Sequence, residues 1–217
     1  MKIGILGTGI VGCTIGTKLV ALGHEVMMGS RTANNLSASE WVANTPGGNA
    51  HAGTFGDAAR FGESILFNCT QGISSLDALK MAGGAALKGK ILIDLANPLD
   101  FSQGMPPVLT VCNTDSLGEQ IQRAFPDTKV VKTLNTINCE VMINPARIKG
   151  DHDLFVSGDD ASAKKLVTAF LTENFGWKKV IDLGDITTAR ATEQILPLWV
   201  RLWVVVGHAD FNVKVVY

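Results

Sequence analysis

The sequence predicts an α/β protein: a doubly wound parallel sheet with a small C-terminal α/β extension ending in a long apolar helix. Three observations predict it. Short apolar runs alternate with stretches of helical periodicity along most of the chain. The first run, Ile3-Gly4-Ile5-Leu6, leads straight into Gly7-Thr8-Gly9-Ile10-Val11-Gly12, and the second ends on Gly29-Ser30-Arg31-Thr32. A GxGxxG set between a strand and a helix marks a Rossmann-type dinucleotide site, because each glycine removes a side chain where backbone must turn or approach a ligand.

In chain order, strands are expected at Lys2–Leu6, Glu25–Met28, His51–Phe55, Ser64–Asn68, Lys90–Asp94 and Lys129–Val131, with helices at Gly9–Leu22, Ser39–Ala43, Ser74–Met81 and Ser116–Ala124. Pro46-Gly47-Gly48 and Gly83-Gly84 read as turns, and Phe101 to Pro107 as an irregular loop. Past Pro145 the expected order is a strand at Leu154–Ser157, a helix at Ala161–Asn174, a strand at Lys178–Asp182, and one long helix from Thr188 to the C-terminus. This divides the chain softly into a dinucleotide-binding domain, 1–145, and a small substrate and dimerisation unit, 146–217. Apolar residues surround most of the last helix, including Leu196, Trp199, Trp203 and Val204 to Val206. Such a helix should be buried on more than one side, and a homodimer through it is expected.

Composition narrows the function. The formal charge is −1 over 217 residues with 46% hydrophobic residues, which leaves no basic footprint for nucleic acid or for an anionic membrane. Cys13, Cys69, Cys112 and Cys139 lack CxxC spacing and no His/Cys cluster suggests a metal, so a reducing cytoplasm is expected. The most apolar segment, Ile195 to Val206, holds Pro197 and Arg201 and falls short of the roughly 20 residues that span a bilayer.

The glycine motif assigns three tasks: Gly7 to the sharp turn, Gly9 to the close approach of a pyrophosphate, and Gly12 to helix packing, with the helix N-terminus offering N–H donors. The tip of the second strand selects the cofactor. An NAD site places a carboxylate there, about 20 residues past the glycines; Glu25 begins the strand and is badly placed for that. Arg31 instead offers a planar, permanently charged fork to a 2′-phosphate, and the hydroxyls of Ser30 and Thr32 add donors. NADP(H) is expected.

Ligands of doubly wound sheets lie outside the carboxyl ends of the strands. The segments there are Asn68-Cys69-Thr70-Gln71-Gly72, Asp94 to Leu99 with Asn97, and Lys132-Thr133-Leu134-Asn135-Thr136. Asn135, Thr136 and the backbone at Leu134 can bond a carboxamide, and Cys69 with Thr70 can face the ring edge. Taken singly, each is equally a turn, a cap or a small buried residue. No residue is identified as an acid or base, and hydride transfer to a flat acceptor needs chiefly alignment and exclusion of water.

With these residues in place, the chain resembles the coenzyme F420-dependent NADP oxidoreductases, whose fold recurs in the reductase domain of the STEAP ferric reductases. The resemblance rests on Gly7 to Gly12, Gly29-Ser30-Arg31, Asp94 to Leu99 and Lys132 to Ile137. It implies that Thr8, Gly9, Ile10 and Val11 wrap the pyrophosphate, that Ser30 and Arg31 hold the 2′-phosphate, and that Leu134 and Asn135 contact the nicotinamide. It also implies a pocket for F420 or a flavin partly roofed by the C-terminal helix. Cys69-Thr70-Gln71 departs from the apolar, proline-containing turn common in that family. Two other readings stay open: an imine or hydroxy-acid reductase, for which Lys132 is the nearest candidate lysine, and an NADP(H)-binding redox sensor without turnover.

Overall fold

The strands at the centre of the sheet are buried on both faces, and their side chains alternate between two separate cores. The computed structural model describes residues 1–217 as β1 (Lys2–Leu6), α1 (Ile10–Ala21), β2 (Glu25–Ser30), α2 (Leu36–Asn44), β3 (Ala50–Thr54), α3 (Phe55–Phe61), β4 (Ile65–Asn68), α4 (Gly72–Ala82), α5 (Gly84–Leu87), β5 (Ile91–Asp94), β6 (Leu99–Asp100), β7 (Val108–Leu109), α6 (Leu117–Ala124), β8 (Lys129–Thr133), α7 (Cys139–Ile143), β9 (Leu154–Ser157), α8 (Ala161–Phe175), β10 (Val180–Gly184), α9 (Ala189–Gln194) and α10 (Leu196–Val206). Ile3, Ile5, Phe67 and Ile93 point to the face covered by α1, α2, α7 and α8. Leu6, Leu66 and Leu92 point to the face covered by α3 to α6 and α9.

One sheet of eight strands results, in the order β10-β9-β8-β5-β4-β1-β2-β3. From β3 to β8 every pairing is parallel. The chain reverses its direction of winding between β1 and β4, which opens a crevice at their carboxyl ends. β9 then joins β8 antiparallel, and β10 runs parallel to β9. The segment after Pro145 therefore extends the same sheet at its edge.

Several elements escape a periodicity reading, among them the short helices α5 and α7. Thr54 closes β3 and caps α3: its hydroxyl accepts from Asp57 N at 3.1 Å while the Asp57 carboxylate accepts from Thr54 N at 2.9 Å. Leu99–Asp100 and Val108–Leu109 pair as a small antiparallel hairpin whose tip is the expected irregular loop.

The long C-terminal helix is a correction. Pro197, which has no N–H to donate, sits in the first turn of α10 and separates it from α9, and α10 stops at Gly207 in a left-handed conformation with φ 80°. The remaining residues run along the start of β9, where Asp153 N donates to Val213 O at 3.0 Å and Val215 N donates to the Asp153 carboxylate at 2.6 Å. Within the chain α10 buries only Leu196 and Val200, so the expected burial on several sides is not met; Leu198 and Trp203 to Val206 are exposed. No helix is long and apolar enough to cross a membrane.

Replacing Thr54 with Ala removes the α3 cap, and urea unfolding should register a loss of about 1 kcal/mol.

Candidate active site

The β1-to-α1 turn is shaped by two close approaches. Gly7 has φ 120°, and a β-carbon there would stand 2.6 Å from Cys69 O on the neighbouring β4 end. A β-carbon at Gly12 would collide with Gly7 O, so α1 packs against the turn itself. Gly9 is the N-cap of α1, faces open space, and is followed by a first turn with no acidic residue and no side-chain cap. Those free N–H groups and the positive end of the helix suit a pyrophosphate.

Two adjoining cavities lie along this crevice. The first, about 590 Å³, is lined by Gly7, Thr8, Gly9, Ser30, Arg31, Cys69, Thr70 and Gln71, together with residues that periodicity did not single out: Asn35, Phe55, Ser74, Asp77, Ala78 and Met81. Arg31 is exposed and enters no ion pair or hydrogen bond, which leaves its guanidinium available to a phosphate. The Ser30 hydroxyl, by contrast, already donates to Thr32 O at 2.6 Å, and so ties the Arg31 turn together. The second cavity, about 380 Å³, shares Cys69, Thr70 and Gln71 with the first and adds Val11, Asn97 and the base of the β6–β7 hairpin at Leu99, Asp100 and Phe101. The hairpin, rather than α10, forms its outer wall; α10 faces neither cavity.

Several expected residues do not line either cavity. Ile10 is exposed outside both cavities, and Thr32 lends its carbonyl to Ser30. Leu134 is buried with φ 63°, a left-handed conformation that is strained for a leucine. Asn135 is buried and its amide is spent, donating at 3.0 Å to both Asn97 Oδ1 and Thr192 O, while Asn97 donates to Asn135 O at 2.7 Å. Asn135 thus fastens the β5 and β8 loops to α9. The left-handed Leu134 has no signal in composition; the Asn135 clasp joins residues far apart in sequence.

Lys132 is likewise sealed away. Its ammonium is fully buried, 2.9 Å from Asp94 Oδ2 and 2.8 Å from Glu193 Oε1, and it also donates to Ala96 O. Burial pulls its pKa down, but the two carboxylates outweigh that and hold it above the usual lysine value. Glu193 in turn accepts from Leu117 N at 2.8 Å and Gly118 N at 3.0 Å, the start of α6, whose dipole offsets the second negative charge. A lysine so enclosed cannot exchange protons with a substrate. Burial, reinforced by Asp94, pushes the Cys69 thiol far up, so it stays protonated and serves as a neutral wall.

A third cavity, about 620 Å³, lies elsewhere, between residues 145–153 and 176–179, and is rimmed by Lys149, Lys178, Lys179 and Lys214. Lys179 and Lys214 are already paired there, with Asp153 at 3.2 Å and Asp151 at 3.7 Å. It has no share in the glycine crevice.

Removing the Lys132 ammonium leaves two buried carboxylates without a counter-charge. Lys132→Met should therefore cost about 3–5 kcal/mol in denaturant unfolding. Because the folded pKa is raised, the stabilisation is complete below pH about 10 and fades as pH rises through the raised value, which alkaline unfolding monitored by circular dichroism will register.

Known proteins resemble this chain in sequence and fold. Residues 2–98 match the family model described as NADP oxidoreductase, coenzyme F420-dependent. The F420-dependent NADP reductase of Methanothermobacter marburgensis is 32% identical over 214 residues, covering 93% of this chain and 92% of that protein. The metalloreductase STEAP3 of Rattus norvegicus is 28% identical over 91% of this chain, which spans 38% of that protein. A crystal structure from Arthrobacter sp. FB24, described as a candidate F420-dependent NADP reductase, superposes with a TM-score of 0.93 at 52% identity, covering 100% of both chains. The chain belongs to the family of F420-dependent NADP oxidoreductases.

Proposed function

From this family membership and the geometry of the crevice, we propose that the protein moves a hydride between NADPH and a flat acceptor such as F420 or a flavin. One observation carries the reading: an unpaired Arg31 and an uncapped α1 N-terminus open one cavity, and a second, with room beside the expected nicotinamide, continues it. In this reading Arg31 holds the 2′-phosphate, assisted by the turn that Ser30 and Thr32 lock. Thr8, Gly9 and the first N–H groups of α1 hold the pyrophosphate. When bound, NADPH supplies the hydride. The chain supplies alignment: Val11, Cys69 and Leu95 present apolar surface that excludes water, and Asn97, fixed by Asn135, sets the polar rim. Apart from the protonated Cys69, Asp100 is the one ionisable side chain of the second cavity. That supports hydride transfer without an enzyme-borne acid over the imine-reductase alternative, whose candidate Lys132 is buried.

Arg31→Ala should weaken NADPH more than tenfold while leaving NADH nearly unchanged, as expected for loss of a charge-assisted bidentate pair. Equal losses would refute the 2′-phosphate role. NADPH oxidation offered F420, FMN and FAD separately should show turnover with at least one; tight NADPH binding without turnover on any of them would favour a redox sensor.

We further propose that the protein acts in the cytoplasm as a homodimer. Its four cysteines are all free thiols, as a reducing compartment requires. Leu198 and Trp203 to Val206 leave much of the α10 surface exposed and apolar, with Arg201 its one charged residue, and a second copy would cover part of it. Light scattering at micromolar concentration should give twice the 23.0 kDa chain mass, and Val205→Glu should return the monomer.

A further inference from the structure

Thr70 stands where the two cavities meet. Behind it is a closed ring of hydrogen bonds. Thr70 Oγ1 donates to Asn68 Oδ1 at 2.7 Å, Asn68 Nδ2 donates to Ser75 Oγ at 2.6 Å, and the Ser75 hydroxyl closes the ring on Thr70 Oγ1 at 2.8 Å. Asn68 donates its other amide proton to Asp94 Oδ1 at 2.7 Å, and Lys132 holds the other oxygen of that carboxylate at 2.9 Å. Asn68, Ser75, Asp94 and Lys132 are all buried, and Thr70 alone reaches the crevice.

This ring decides what Thr70 can offer. A hydroxyl has one proton and two lone pairs. The proton is spent on Asn68 and one lone pair on Ser75, so a single lone pair faces the crevice. Thr70 is an acceptor there and not a donor. The Asp94 carboxylate fixes the ring because a carboxylate only accepts, and an Asn68 amide turned the other way would set oxygen against oxygen.

A dinucleotide with its 2′-phosphate on Arg31 and its pyrophosphate on α1 crosses from the first cavity to the second at its nicotinamide ribose. We propose that Thr70 accepts a hydrogen bond from a hydroxyl of that ribose, and that Asp94 is a positioning residue that acts on it through Asn68. The inference rests on the crevice being an NADP(H) site.

The test is a double-mutant cycle on the full chain, with NADPH dissociation constants from fluorescence titration and thermal unfolding run beside it. Thr70→Val keeps the shape and removes the acceptor; it should weaken NADPH about tenfold, and Thr70→Ser should bind within about twofold of the parent. Asp94→Asn should cost about threefold to fivefold with Thr70 present and nothing further in the Thr70→Val background, since coupled residues are not additive. If Asp94→Asn does not fold, Ser75→Ala opens the ring from its other side and carries the same expectation. Unchanged NADPH affinity in Thr70→Val overturns the proposal, as do additive losses in the cycle. A parent protein that fails to bind NADPH at all would overturn the cofactor reading itself, and a parent that binds with Thr70→Val unaffected would overturn only this step.

Discussion

The contact between Lys132 and its two carboxylates is the constraint on which the rest of the site depends. A buried ammonium is tolerated only when its charge is met at close range, and here it is met from two directions: Asp94 at the end of β5 and Glu193 on α9. Asp94 passes the constraint to Asn68 at the end of β4, and Glu193 passes it to the first turn of α6. Three neighbouring strand ends, one helix start and the C-terminal segment are thereby held in one register by polar contacts that cannot slide as apolar packing can. The Asn97–Asn135–Thr192 clasp repeats the arrangement a few residues further along the same loops. The loops that form the crevice are tied to one another for this reason, although they lie beyond the ends of the regular elements.

Much of the fold was legible because local and global signals agree in it. Every expected strand appears within a few residues of its expected span, the central ones because strands buried on two faces need continuous apolar runs. The glycine turn was legible for the same reason, its residues being adjacent in sequence. What escaped has a physical pattern. α3 was hidden because Thr54 ends a strand and caps a helix at once, and the β6–β7 hairpin because its two-residue strands are too short for periodicity. Apolar content alone overextends α10, because Pro197 and Gly207 end helices through backbone chemistry that hydropathy does not register.

The site was legible by half, and the dividing line is sequence distance. Gly7 to Gly9, Arg31 and Thr70 stand where a reading of strand ends puts them. Asn135 and Lys132 look equally available in the sequence, yet their side chains are consumed by Thr192 and Glu193, which lie more than fifty positions away. Glu193 carried no signal at all: a glutamate in a helical stretch ordinarily reads as solvated, and only the fold reveals that it closes a buried charge.

Electrostatics also explains why the crevice wall carries so few charges. With the Cys69 thiol held protonated by burial, and with Lys132 and the start of α6 together offsetting Asp94 and Glu193 behind the surface, Asp100 is the one charged side chain lining the second cavity. The one strong cation of the crevice, Arg31, sits at its far end. In the proposed reading a charged dinucleotide would be gripped at its phosphates, while the reacting ring would meet a sparsely charged lining with oriented hydrogen-bond groups at its rim. Such a division favours transfer of a hydride between two planes over reactions that require a proton from the protein, because a fixed charge near the ring would bind one redox state of the cofactor at the expense of the other.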